Sequence, residues 1–175
     1  SAARFPGLAA RAFIVSSFGK TYHVTGWKVG TVAAPADYTA ELRKVHQFMV
    51  FTVPSPMQFA LAEYMKEPQP YLNLPAFYQA KRNRLAAGLA DTQFRPLPSP
   101  GTFFMLADYS ALSQQKEGDF AQQLTVEHGV TVIPVSAFYR DPDAAESNHQ
   151  IVRFCFAKRD ATLDSAIERL KKVKA

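Results

Sequence analysis

The chain has 175 residues, of which 47% are hydrophobic, and its aromatic side chains include 14 Phe and 7 Tyr. This length and composition fit one domain or slightly more with a sizeable core, and they exclude an intrinsically disordered protein. The net charge of +5 comes from mostly scattered basic residues, which disfavours a nucleic-acid-binding protein, and no apolar run approaches the roughly 18 residues of a membrane-spanning helix.

The first third of the chain combines two predicted strands with a lysine-containing turn and a helix. The apolar run Phe13-Ile14-Val15 predicts a short buried strand, and a turn that carries Lys20 follows it. A second strand is predicted over residues 28–33. Pro35-Ala36-Asp37 then begins a helix, because proline is tolerated in a first turn and acidic residues are favoured there. The prolines within residues 52–56 end that helix.

Strands and helices interleave in the remainder of the chain. The predicted elements begin with a helix containing Met57, Leu61 and Tyr64, and a helix over 74–89 whose inner face carries Phe77, Tyr78, the Lys81 stem, Leu85 and Leu89. They continue with a turn centred on Pro100-Gly101, a strand over 102–106, a helix over 118–128 that Gly129 ends, strands over 130–135 and 151–156, and a last helix that Asp160 caps at its start. Interleaving of this kind predicts an α/β fold in which helices cover a small sheet. We place a domain boundary at the prolines, which gives domains over residues 1–54 and 55–175.

The segment around Lys20 has the pattern of a reactive lysine. Ser17 precedes it by three residues, and Lys28 follows it between Gly26 and Gly30. Small residues leave room for a ligand, while hydroxyl groups and a second cation can hold an anionic group near the amine. The alternatives are an exposed solvated Lys20, a Ser17 hydroxyl that binds its own backbone, and a surface Lys28 on an edge strand.

The predicted strand over 151–156 places a charge among apolar residues at Arg153. A charge in such surroundings is costly unless it is paired, and a guanidinium matches a carboxylate in two hydrogen bonds. The partner is then either a carboxylate ligand or an Asp or Glu of the chain. The single cysteine, Cys155, cannot form an internal disulfide, so we expect a reducing cytoplasmic environment. The histidines lack metal-ligand spacing, and no metal site is predicted.

The pattern Ser-x-x-Lys-x7-Lys, together with Thr25-Gly26-Trp27-Lys28-Val29-Gly30, resembles the lysine motif of class I (fold type I) aminotransferases that use pyridoxal 5′-phosphate. Lys44-Val45-His46-Gln47 and Ile151-Val152-Arg153-Phe154-Cys155-Phe156 are most similar to the methionine and kynurenine aminotransferase branch. The resemblance covers essentially the whole chain. It implies the C-terminal portion of such an enzyme, with the end of the large cofactor domain followed by the small C-terminal domain.

The resemblance also implies a role for individual residues. Lys20 would form the Schiff base with pyridoxal 5′-phosphate and then act as the general base, while Ser17 and Lys28 would bind the cofactor phosphate. Arg153 would bind the α-carboxylate of the amino acid and of the 2-oxo acid. Phe51 would reach the substrate side-chain pocket of the neighbouring subunit in a homodimer, although packing in the core is nearly as well supported for this residue.

The implied activity is transfer of an amino group from an L-amino acid of the methionine or aromatic type to a 2-oxo acid. The isolated 175 residues are expected to be inactive, because the pocket needs groups on both sides of the cofactor ring. Two alternatives stay open. A carbon–sulfur lyase would keep the same lysine, phosphate and arginine residues, and an aminotransferase-like domain could act as the sensor of a transcriptional regulator.

Overall fold

The computed structural model describes all 175 residues, which form two compact units, Ser1–Leu74 and Pro75–Ala175. We call them unit 1 and unit 2. The units divide after Leu74, about twenty residues beyond the prolines at 52–56. The predicted division into 1–54 and 55–175 stays a prediction.

Unit 1 is a two-stranded hairpin followed by helices. Its elements are α1 (Pro6–Ala9), β1 (Ile14–Ser17), α2 (Phe18–Thr21), β2 (Gly30–Ala33), α3 (Ala36–Met49), α4 (Ser55–Tyr64) and α5 (Gln69–Leu72). Strands β1 and β2 pair antiparallel, with Ile14 opposite Ala33 and Ser17 opposite Gly30. The order strand, lysine segment, strand, helix agrees with the predicted order, and α3 begins within the predicted Pro35-Ala36-Asp37 segment.

Two expectations for unit 1 are wrong in detail. Lys20 lies in the short helix α2 rather than in an open turn. The strand β1 is not buried, since Val15 is 74% exposed. An apolar run indicates a strand but not the layers that cover it, and a two-stranded hairpin has no second sheet layer of its own. The short helix α5, which begins beside Pro68, was not predicted.

Unit 2 is an antiparallel sheet covered by helices on one face. Its elements are α6 (Leu74–Ala90, whose first residue ends unit 1), β3 (Arg95–Pro96), β4 (Phe104–Asp108), α7 (Glu117–His128), β5 (Ile133–Pro134), β6 (Ile151–Cys155) and α8 (Asp160–Leu170). The strand order is β3-β4-β6-β5. This arrangement confirms the predicted α/β fold with a small helix-covered sheet.

The core of unit 2 follows the alternation of its central strands. In β6, Val152 and Phe154 are buried, whereas Arg153 and Cys155 point to the other, half-buried face. The helices contribute Leu85 and Leu89 from α6, and the remaining core residues include Phe120, Leu124, Leu163 and Leu170. The predicted inner face of α6 is thus confirmed at these two leucines, while Phe77 is 51% exposed.

Two predicted strands differ in extent from the observed ones. The strand expected over 130–135 is reduced to Ile133–Pro134, because the Val130 amide donates to Leu124 at the end of α7 and Pro134 has no N–H to donate. The strand expected over 102–106 begins at Phe104. The chain changes direction before this strand at Thr102, whose φ is 64°. Gly101 does not have the positive φ that the predicted type II turn requires.

The ends of α7 and α8 show what local sequence signals can specify. Gly129 adopts the left-handed conformation, with φ of 63°, and ends α7 as predicted. Asp160 is the first helical residue of α8 rather than its cap, and its carboxylate accepts a hydrogen bond from the buried Lys81 at 2.8 Å.

No helix of the chain combines the length and apolarity that crossing a lipid bilayer requires.

Candidate active site

The lysine segment of unit 1 is held by a compact set of hydrogen bonds. Ser17 caps α2, and its Oγ accepts the Gly19 N–H at 3.2 Å. The Gly19 carbonyl oxygen accepts the Thr25 hydroxyl at 3.1 Å and the Val24 amide at 3.0 Å. The chain between α2 and β2 therefore folds back onto the residue that precedes Lys20, which fixes the backbone of the lysine.

Two glycines permit this close approach. A Cβ atom at Gly19 would lie 3.1 Å from the Thr25 Cα and 3.4 Å from the Ser17 Oγ. A Cβ atom at Gly30 would lie 2.6 Å from the Ser16 carbonyl oxygen, closer than real Cβ contacts. The absence of a side chain at these two positions therefore allows the hairpin and the lysine segment to pack closely.

The segment places two lysines and a serine on the same end of the hairpin. Ser17 is opposite Gly30 in the sheet, and the Phe18 amide donates to Val29 at 3.1 Å, directly beside Lys28. Lys28 is exposed and has a left-handed backbone, with φ of 55°. Lys20 is exposed as well. Neither lysine forms an ion pair within the chain.

This donor set fits a phosphorylated ligand. The Ser17 hydroxyl uses its oxygen to accept the Gly19 N–H, so the alternative of a hydroxyl bound to its own backbone is seen in part. The hydroxyl proton is still available to donate to a phosphate oxygen. Lys28 supplies a positive charge that no carboxylate of the chain neutralises, and lysine is a common phosphate ligand.

An aromatic cluster supports the lysine segment from within unit 1. Tyr22, directly after α2, contacts the rings of Phe18, Tyr64 and Tyr71 at centroid distances of 5.8, 5.8 and 6.1 Å. Burial raises the pKa of Tyr22, and the neighbouring phenols raise it further. Tyr22 is therefore a neutral packing residue, and it connects the lysine segment to helices α4 and α5.

Phe51 lies just beyond the end of α3 in a conformation that few non-glycine residues adopt. Its φ is 65°, its amide donates to the His46 carbonyl at 3.0 Å, and its side chain is 78% exposed. It does not pack in a core of unit 1. Strained backbone of this kind is maintained only where the surroundings or a function require it.

Arg153 occupies the centre of the unit 2 sheet, on the half-buried face. It lies opposite Leu106 of β4 and Ile133 of β5. Its Cζ is 4.0 Å from the ring centroid of Phe104 and 4.9 Å from that of Phe138. No Asp or Glu of the chain forms an ion pair with it, and its Nε is buried without a hydrogen-bond partner. The alternative prediction, an ion pair between Arg153 and an Asp or Glu of the chain, is therefore wrong.

One buried acidic residue that the sequence did not indicate binds the start of the strand that carries this arginine. Glu117, the first residue of α7, is 1% exposed, and its carboxylate accepts backbone N–H groups from Ser136, His149 and Ile151. An acidic residue in a first helical turn is ordinarily explained by the helix dipole, so its sequence position gave no sign of burial. The three bonds fix the segment after β5 and the start of β6 to the same helix.

Comparison with known proteins gives matches over almost the whole chain. The family model described as aminotransferase class I and II matches residues 4–170. The methionine aminotransferase of Escherichia coli K12 is 50% identical over 169 residues, which cover 96% of this chain and 43% of that protein. The kynurenine–oxoglutarate transaminase of Dictyostelium discoideum is 35% identical over 98% of this chain and 44% of its own length.

A solved Escherichia coli structure, described as having a methionine aminotransferase function, superposes with a TM-score of 0.91 at 50% identity. The superposition covers 98% of this chain and 45% of the chain of that structure. The chain thus spans less than half the length of the relatives it matches. The match of the family model to nearly every residue, on the fold described above, shows that the chain belongs to the class I and II aminotransferase family.

Proposed function

We propose that the chain is the C-terminal part of an aminotransferase that uses pyridoxal 5′-phosphate. The enzyme would move an amino group from an L-amino acid of the methionine or aromatic type to a 2-oxo acid. The observation that carries the proposal is Lys20 in the short helix α2, between the Ser17 hydroxyl and the unpaired Lys28, in a chain 50% identical to a methionine aminotransferase. Methionine and kynurenine in the names of the relatives support the substrate class.

The cofactor supplies the electron sink for this chemistry, and the protein supplies placement and proton transfer. Lys20 would attach the cofactor through its Nζ and, once free, carry the proton at the substrate α-carbon. The Ser17 hydroxyl and the Lys28 ammonium would bind the phosphate. The hydrogen bonds at Gly19 fix the backbone from which the Lys20 side chain extends, and a defined point of attachment favours proton transfer at a single carbon.

Arg153 would bind the α-carboxylate that every amino acid and 2-oxo acid substrate carries. Its guanidinium is not neutralised by the chain and presents a planar fork suited to a carboxylate. Phe51, exposed at the end of α3, would contact the substrate side chain of a neighbouring subunit in a homodimer. The single cysteine is compatible with a cytoplasmic enzyme.

The test is to add pyridoxal 5′-phosphate to the full-length protein, reduce with borohydride and map the adduct by peptide mass spectrometry. We expect one adduct on Lys20, which is lost in Lys20→Ala. The matched control is Lys44→Ala, which removes an exposed lysine paired with Glu41 and leaves the adduct unchanged.

Transamination of methionine or phenylalanine with a 2-oxo acid should then be measurable. An adduct elsewhere, or none, would contradict the proposal, and release of pyruvate and ammonia would indicate a lyase.

A further inference from the structure

We infer that Phe104 and Phe138 are positioning residues that hold the Arg153 guanidinium ready for the substrate carboxylate. This inference rests on the proposed function, in which Arg153 binds that carboxylate. The two rings lie 4.0 and 4.9 Å from the Arg153 Cζ, within the range of cation–π contacts, and all three residues belong to unit 2.

The rings stabilise the charge without taking the place of the ligand. A carboxylate neighbour would occupy the hydrogen-bonding fork and would have to be displaced by each incoming substrate. A ring face attracts the cation but offers no oxygen, so the planar fork is left free. The Nε of Arg153 is buried and has no hydrogen-bond partner, so Nη1 and Nη2 are the atoms that can donate hydrogen bonds to a carboxylate. Arg153 is thus held in place by groups that do not compete with its ligand.

We call the rings of Phe104 and Phe138 around the Arg153 guanidinium the clamp, and its first ring is fixed by the sheet. Phe104 stands on β4, on the strand that pairs with β6, so its backbone position relative to Arg153 is set by the sheet register. Leu106, two residues further along β4, lies directly opposite Arg153. Phe104 is therefore the diagonal neighbour on the same face, a position from which an aromatic ring reaches across strands.

The second ring is fixed by the buried carboxylate of Glu117. Phe138 ends the short 3₁₀ turn Val135–Phe138, and the Ser136 amide in that turn donates to Glu117. The same carboxylate accepts the amide of Ile151, two residues before Arg153. One buried group therefore sets the position of the turn that carries the ring and of the strand that carries the arginine.

The clamp reduces the number of rotamers that Arg153 must give up when it binds. An arginine side chain loses much rotamer freedom on ordering, and a guanidinium held between rings has already lost it in the free enzyme. The carboxylate is bound in the ground state and in the transition state alike, so loosening the clamp should raise KM and leave kcat unchanged.

The experiment compares ring variants in the full-length enzyme. Phe138→Leu, at a side chain that is 63% exposed, should fold normally and raise KM for the amino acid about threefold, and Phe104→Leu combined with it about tenfold. Phe138→Tyr keeps the ring and should restore the KM. The matched control is Phe77→Leu, which removes a ring 4.8 Å from the Lys81 Nζ and should leave KM unchanged.

A second substrate separates the clamp from the side-chain pocket. An amine that matches the amino acid but lacks the carboxylate should react equally well with the wild type and with Phe138→Leu. An equal loss for both substrates would overturn the inference, and so would a KM in Phe138→Leu no higher than in the Phe77→Leu control.

Arg153→Lys distinguishes this inference from the proposed function. If this variant, which keeps the charge and loses the fork, leaves KM for the amino acid unchanged, Arg153 is not the carboxylate site, and both proposals about it fail. If Arg153→Lys raises KM and the ring variants do not, the inference on the rings alone fails. If the double ring variant does not fold, Phe138→Leu decides the question by itself.

Discussion

Replacing Glu117 by glutamine should destabilise unit 2 more than its position at a helix start suggests. The carboxylate accepts N–H groups from Ser136, His149 and Ile151, with 3.0 Å to each of the last two. A glutamine side chain has one acceptor oxygen, so its NH₂ group must face at least one of these donors. Losing one charge-assisted bond and weakening two others corresponds to about 3 kcal/mol of unfolding free energy.

The assay is urea unfolding combined with hydrogen exchange of peptides that contain the three amides. A change of about 3 kcal/mol in local opening corresponds to roughly a hundredfold faster exchange at these amides. The matched control is Glu127→Gln on the same helix, where the exposed carboxylate accepts only the Gln123 side chain and the change should stay within about 0.5 kcal/mol. Equal unfolding midpoints and equal exchange in Glu117→Gln and the wild type would refute the reasoning.

Two further substitutions test packing and charge in unit 2. Gly88→Ala places a Cβ against Ile167 where α6 packs on α8, and it should lower the free energy of unfolding by about 1–3 kcal/mol in urea. Gly118→Ala, with open space around it, should be neutral or slightly stabilising. Equal effects of the two substitutions would contradict this. The hydrogen bond from Lys81 holds the pKa of Asp160 below its usual range, so the pair stabilises the fold above about pH 4, and this contribution is lost as the pH falls through the lowered pKa. Urea midpoints measured near neutrality and in acid should therefore fall less in Asp160→Asn than in the wild type, and an equal fall in both would show that the pair does not contribute.

Local signals predicted the elements whose causes are local. Gly129 has the conformation that its residue type favours at a helix end, and α6 buries the side of Leu85 and Leu89 that its periodicity indicated. The segment over 130–135 shows the limit. Its apolar residues resemble a strand, but whether Val130 pairs in a sheet or with the preceding helix depends on contacts that the segment itself does not specify.

The same distinction separates the candidate residues of unit 1 from those of unit 2. Ser17, Lys20 and Lys28 lie within twelve consecutive residues, so their spacing alone could indicate a phosphate ligand and a reactive amine. The surroundings of Arg153 could not be predicted in this way. Phe104 comes from a distant strand, and Glu117 binds amides 19 to 34 residues further along the chain. Such contacts are products of the tertiary fold, and a single sequence gives no direct measure of them.

The alternation in β6 has a consequence for how this region can change during evolution. Val152 and Phe154 fill the core, while Arg153, between them, faces the opposite side of the sheet. An insertion or deletion of one residue at the start of β6 would turn the arginine into the core and an apolar side chain toward the face proposed to bind the carboxylate, so folding and the proposed substrate binding would fail together. Changes in length should therefore be absent from this strand among functional relatives and should accumulate instead in the exposed segment over residues 140–143.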